Sequence, residues 1–107
     1  MRNKYFAKKQ TYKGMKFDSK KELARFIVLE KLQAEKKIFN LELHPIYPLM
    51  VNGFKIGKYT ADFRYRDVNG NLVVEDVKSK ITRTRDYLLR KKILATYTPP
   101  ILIKEII

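Results

Sequence analysis

Asp62, Asp76 and Lys78 are the residues whose types and spacing could do chemistry. In Asp76-Val77-Lys78 the carboxylate and the amine stand two residues apart, so on a strand they share one face and leave Glu75 and Val77 on the other. The triplet alone says little, because about two acid-x-Lys triplets are expected by chance in so lysine-rich a chain and it has three. Asp18-Ser19-Lys20 and Glu35-Lys36-Lys37 belong to the first helix or its cap, whereas Asp76 to Lys78 falls in a strand.

The turn before that strand supplies an independent argument. Asp67-Val68-Asn69-Gly70-Asn71 suits a three-residue loop, a type I turn with Gly70 in the left-handed position of a bulge. That register sets Asp62 across from Asp76 and Thr60 across from Lys78. A two-residue Asn69-Gly70 loop would instead bring Asp62 opposite Val77, on the wrong face. Two facing carboxylates repel and weaken a sheet unless a cation lies between them. Hard oxygen ligands in an open site favour Mg²⁺ or Mn²⁺. Such an ion bridges a phosphate oxygen and a water and turns the water into a nucleophile. Lys78 would orient or deprotonate that water, or stabilise charge in the transition state. The bland alternative is a surface hairpin whose acids pair with Lys78 and Arg64.

Two helices and several strands must position these groups. Asp18 and Ser19 offer N-cap oxygens, and Leu23, Phe26, Ile27, Ala34 and Ile38 recur at helical spacing, which predicts a helix over 20–37. A strand over 41–50, interrupted by Pro45 and Pro48, reads as an edge or as ending early. Asn52-Gly53 turns the chain into a strand over 55–66, and a third strand covers 72–79. A second helix fits 83–97, with Thr84 or Asp86 near its start and Pro99-Pro100 stopping it. The apolar run 101–107 closes the chain as a buried strand. The order predicts one small α/β domain over 1–107, a mixed sheet between helices, preceded by a basic arm over 1–17 with a small hairpin at Tyr12 to Met15.

Charge is divided just as unevenly. The net charge of +13 comes from two blocks, +7 over 1–21 and +6 over 78–92, around a neutral 22–77. Such a division is what a nucleic-acid binder shows when its basic elements grip phosphates. Lys4, Lys8, Lys9 and Lys13 in the arm, with Lys80, Arg83, Arg85, Arg90, Lys91 and Lys92, are the candidate phosphate contacts. Tyr5 and Tyr12 in the arm would stack on bases or pack the arm down, while Tyr59, Tyr65 and Tyr87 read as core. With no cysteine there is no disulfide framework, thiol nucleophile or cysteine-ligated zinc. No apolar run approaches the length of about 18 residues that a membrane span needs. The expectation is a soluble cytoplasmic protein.

The pattern resembles the PD-(D/E)XK nuclease superfamily. Thr60-Ala61-Asp62-Phe63 looks like its first acidic motif, with Ala61 in place of Pro, and Val73-Val74-Glu75-Asp76-Val77-Lys78 like its second. Ser19-Lys20-Lys21-Glu22 resembles the helix element whose Glu joins the site in many members. From Tyr12 to the final strand the chain is similar to small phage and prophage proteins of that superfamily. The resemblance implies a restriction-endonuclease-like αβββαβ core and a Mg²⁺- or Mn²⁺-dependent DNA endonuclease. Asp62, Asp76 and Glu22 would hold the ion and Lys78 would assist the water. It also implies a phage-related role in the host cytoplasm on branched DNA such as a Holliday junction, or in nicking. Symmetric cleavage of a junction would require a homodimer.

Glu22 has a second reading, since Ser19-x-x-Glu22 is also a capping box, and Glu30 on the same helix is the alternative carboxylate. Glu75 points away and reads as structural or partner-facing. His44, the lone histidine, reads as structural, or as a polar contact beside the ligands or to the DNA backbone, and Thr60 reads as a polar contact beside the ligands. The rivals are a non-catalytic nucleic-acid-binding module on the same fold and an RNA-directed nuclease.

Overall fold

The computed structural model describes residues 9–107. The expected small hairpin is present: Gln10–Tyr12 (β1) pairs with Met15–Phe17 (β2). It turns through Lys13 and Gly14 at φ 51° and 80°, the two left-handed residues a type I′ turn demands. Ser19 then caps α1 (Lys20–Ala34), its side chain accepting the Glu22 N–H. The helix stops three residues before Lys37. Lys36 takes a left-handed φ of 60°, and the amides of Lys36 and Lys37 return to the Gln33 and Leu32 carbonyls, the pairing of a Schellman stop.

In place of one strand over 41–50 and one over 55–66, the chain makes four: Ile38–Leu43 (β3), Ile46–Val51 (β4), Phe54–Thr60 (β5) and Phe63–Asp67 (β6). β3 pairs with β6 and β4 with β5. Between the two pairs the His44 N–H donates to the Asp62 carbonyl at 2.9 Å and the Ala61 N–H to the Pro45 carbonyl at 3.0 Å. The four strands are therefore one long antiparallel hairpin with a bend at His44-Pro45 and Ala61-Asp62. His44 is left-handed there, with φ 52°, and Pro45 fixes its own φ and restricts the residue before it.

Leu72–Val77 (β7) follows β6 antiparallel, with Phe63 opposite Glu75 through Arg66 opposite Leu72. This is the register of the three-residue turn, and Gly70 has φ 80° as that turn requires. α2 (Arg85–Ala95), capped by Thr84, carries the chain over to Ile103–Ile106 (β8), parallel to β7. The main sheet has the order β3-β6-β7-β8, so β3 is an edge strand as expected.

The helices cover opposite faces of this mixed sheet. On one side α1 and the β1–β2 hairpin bury Phe17, Phe26 and Leu29 against Ile38, Phe63 and Tyr65. On the other, α2 buries Tyr87 and Leu94 against Leu49, Tyr59, Ala61, Val74 and Ile103. Along β7 the faces alternate, Val73 and Val77 to the first core and Val74 to the second. Tyr59, Tyr65 and Tyr87 are all core residues. Tyr12 packs edge-on against Phe26, centroids 6.1 Å apart, and so holds the hairpin down on α1. No helix among the described residues is long and apolar enough to cross a membrane.

Candidate functional site

Four element ends meet at one end of the sheet: the N-termini of α1 and α2, the bend that leads into β6, and the end of β7. They enclose a cleft of about 350 Å³ lined by Ser19, Glu22, Asp62, Asp76, Lys78 and Thr84, among others. Asp62, Asp76, Lys78 and Glu22 thus share one cavity, although 54 residues of sequence separate Glu22 from Asp76.

Asp62 gets there by a different route from the expected one. At Ala61 the chain has already left β7 to pair with β4, so among the described residues Val77 faces no strand partner on that side. Its N–H donates instead to the Asp62 Oδ2 at 2.7 Å. The Asp62 N–H meets the Glu75 carbonyl at 3.1 Å, one residue out of step with the ladder that follows. Asp62 therefore does not sit squarely opposite Asp76. Thr60 departs further, since it pairs with Ile46 and not with Lys78, and it lines a neighbouring hollow that Asp76 and Lys78 also border.

Two subgroups divide the cleft. Glu22, His44 and Asp62 each offer a ligand atom within 4.8 Å of the others. His44 Nε2 stands 3.0 Å from Glu22 Oε1, while Glu22 Oε2 accepts the Asp18 N–H at 3.4 Å. Glu22 consequently serves the helix start and the cluster together, through Asp18 rather than the Ser19 amide of an ordinary capping box. Asp76 lies outside that trio. Its Oδ2 accepts from the Tyr59 hydroxyl and stands 3.6 Å from Lys78 Nζ. The Lys78 ammonium in turn lies 4.1 Å from the centre of the Tyr87 ring, a cation–π distance.

Burial dominates the electrostatics. It pushes the Asp62 carboxyl up to about 6, with the nearby Glu22 charge adding to the rise and the Val77 N–H, Lys78 and His44 opposing it. Burial likewise lifts Asp76 to about 6 against the pull of Lys78. Glu22 is raised by burial with His44 opposing. Three acids are held where their charge is costly, the arrangement expected of a site that receives a cation or a proton.

Glu75 has the structural role expected for it. Fully buried on the α1 side, it takes Arg25 Nε and Nη2 at 2.7 and 2.6 Å and the Tyr65 hydroxyl. Glu30 belongs elsewhere, bound to the Tyr12 hydroxyl and Lys13 Nζ at 3.1 and 3.2 Å. Arg64 pairs with Glu42 and Tyr47, so the acids of the cleft are not satisfied by it. Sequence reasoning placed Tyr59 and Tyr87 in the core and missed that both reach the Asp76–Lys78 pair. Tyr59 sits three residues before Asp62, but no spacing rule marks it.

The candidate phosphate contacts divide by partner. Lys4 and Lys8 lie outside the described residues. Lys13 is tied to Glu30, Arg83 and Lys91 converge on Glu105, and Arg90 pairs with Asp86. Lys80, Arg85 and Lys92 are exposed and make no ion pair with the described residues, and neither does Lys9.

Residues 2–104 match the model of a family described as a protein of unknown function (DUF1064), and the chain belongs to that family. No curated protein and no solved structure matches it.

Proposed function

We propose that this DUF1064 family member is a Mg²⁺- or Mn²⁺-dependent endonuclease that hydrolyses DNA phosphodiester bonds in the cytoplasm. The observation that carries the reading is the convergence of Glu22, Asp62, Asp76 and Lys78 on one cleft. A module that only bound nucleic acid would gain nothing from three carboxylates facing a phosphate, because each repels it. A cation reverses that sign. The donor set fits such an ion: three carboxylates supply hard oxygen ligands, and the His44 nitrogen is compatible with Mn²⁺.

Asp62 and Asp76 would hold the ion, with Glu22 joining from the α1 side. When bound, the ion supplies charge neutralisation at the phosphate and an activated water. Tyr59 and Lys78 both engage one oxygen of Asp76, which fixes the carboxylate and leaves its other oxygen for a ligand. Lys78, steadied between Asp76 and the Tyr87 ring, directs an ammonium at the phosphoryl oxygens. The N-terminal caps of both helices line the cleft, where helix dipoles favour an anion. The order α1, β3, β6, β7, α2, β8 supports a restriction-endonuclease-like αβββαβ core in which β4 and β5 prolong the first two strands. The cations of 78–92 suit backbone contacts more than base reading, which favours selection by DNA shape, as at a branch or junction.

Incubation with supercoiled, linear and four-way-junction DNA in Mg²⁺, Mn²⁺ or EDTA, beside Asp76→Ala, tests the reading. Cleavage is expected only with metal and only in the unsubstituted chain. Metal-independent binding without cleavage, unchanged by Asp76→Ala, would give the site to a binding module. Cleavage of RNA alone would make it an RNA-directed nuclease.

A further inference from the structure

Past the bend, β4 and β5 continue as a two-stranded ribbon with no third strand beside it among the described residues. One side packs Tyr47, Leu49 and Tyr59 into the α2 core. Elsewhere the ribbon gives apolar residues to water: Ile46 and Ile56 are each 59% exposed, Phe54 beside the Asn52-Gly53 turn is 74% exposed, and Met50 and Val51 are exposed as well. So many apolar side chains on one small projection mark a contact surface.

Charge and continuity say what it contacts. Between residues 46 and 61 there is no acid, and the charged residues are Lys55 and Lys58. At the base of the ribbon a hollow of about 500 Å³ runs between Gly57–Thr60 and α2, with Arg90 on its rim. Asp76, Lys78 and Tyr87 line this hollow and also the catalytic cleft. Ribbon, hollow and cleft therefore form one continuous surface: in the hollow Asp86 engages Arg90 and Asp76 faces Lys78, and beyond it the ribbon is purely cationic, with Lys58 and Lys55. A second copy of the chain is the poorer occupant, because ribbon against ribbon would crowd four lysines together with no ribbon acid to pair them.

We propose that the β4–β5 ribbon is a second nucleic-acid contact. Its apolar tip, Phe54 with Val51, wedges into the base stack, and Lys55 and Lys58 hold the phosphates of the strand that leads to the cleft. The inference rests on the nuclease reading for its choice of ligand. Apolar side chains inserted at a base step unstack it and kink the duplex. From Thr60, at the hollow, to Phe54 is six residues, about 20 Å at the rise of a strand. That is the length of roughly six nucleotides at 3.4 Å each, so the wedge would act about that far from the scissile phosphate.

The experiment measures binding of the full chain to branched and linear DNA in EDTA, with 2-aminopurine scanned along the substrate. The unsubstituted chain is expected to brighten the probe at one step, about six nucleotides from the cut mapped in Mn²⁺. Phe54→Ala should abolish that signal and weaken binding about tenfold at an unchanged melting temperature, and Lys55→Glu should weaken binding without touching the apolar tip. The proposal is overturned if both variants bind and unstack as the unsubstituted chain does, if that chain binds no DNA, or if it sediments as a dimer that Phe54→Ala dissociates. Retained Phe54-dependent unstacking with no cleavage in any metal would count against the nuclease reading alone and leave the wedge standing.

Discussion

Asp62 and Asp76 hold their protons more tightly in the folded chain than an unfolded chain would, both near 6. The folded state therefore binds more protons across the window from about pH 4 to about pH 6, and it loses stability as the pH rises through that window. The loss is up to about 3 kcal/mol for each carboxyl. Melting in EDTA is expected to show a lower transition temperature at pH 7.5 than at pH 5, and Asp62→Asn should recover part of the difference. Mn²⁺ should raise the transition at pH 7.5 and do little at pH 5, where protons compete for the same oxygens; equal effects at both pH values would deny that these acids hold the ion. The residues of the cleft were largely legible from the chain. The Gly70 turn set the register, and the register brought Asp62 towards Asp76. His44 was legible as a polar neighbour of the ligands and Tyr59 as core, but their contacts with Glu22 and Asp76 were not, because no periodicity signals the bend beside which they lie.

At the scale of elements, the bend at His44-Pro45 and Ala61-Asp62 is what the sequence concealed. Pro45 marked the place, but a proline reads as the end of a strand as readily as a change in its direction. The ladder continues through it because the His44 and Ala61 amides still find carbonyl partners. Behind the cleft, α1 is tied to β7 by Arg25 and Glu75, a two-pronged ion pair with the Tyr65 hydroxyl as a third partner. Burial, with the adjacent Glu75 charge, raises the Tyr65 hydroxyl pKa, so it remains a donor. Arg25→Met would strand the Glu75 charge in the interior. It should cost about 3–5 kcal/mol, read as a fall in the denaturant midpoint. Arg25→Met with Glu75→Gln should recover much of that loss, whereas a surface pair would show little change in either variant.

For the whole molecule, the charge of +13 overstates what is free to meet a polyanion. The two basic blocks were plain from composition, but composition does not reveal partners. Within 78–92, Lys78, Arg83, Arg90 and Lys91 are already engaged by acids. Lys80, Arg85 and Lys92 meet no acid among the described residues. Alanine at these three exposed positions should leave the fold intact and weaken DNA binding about equally for all sequences. The slope of log affinity against log salt should become shallower by about 1 for each phosphate that is no longer neutralised. A salt titration of binding in EDTA checks it. An unchanged slope would place the DNA on another face.

The Val77 amide, which donates to the Asp62 Oδ2, gives the cleft a spectroscopic handle. A backbone proton held against a carboxylate senses its charge directly, so the Val77 cross-peak in a ¹⁵N–¹H spectrum reports Asp62 from within the sheet. Because the bond belongs to the backbone, the resonance distinguishes an ion held in the cleft from cations adsorbed on the outer surface.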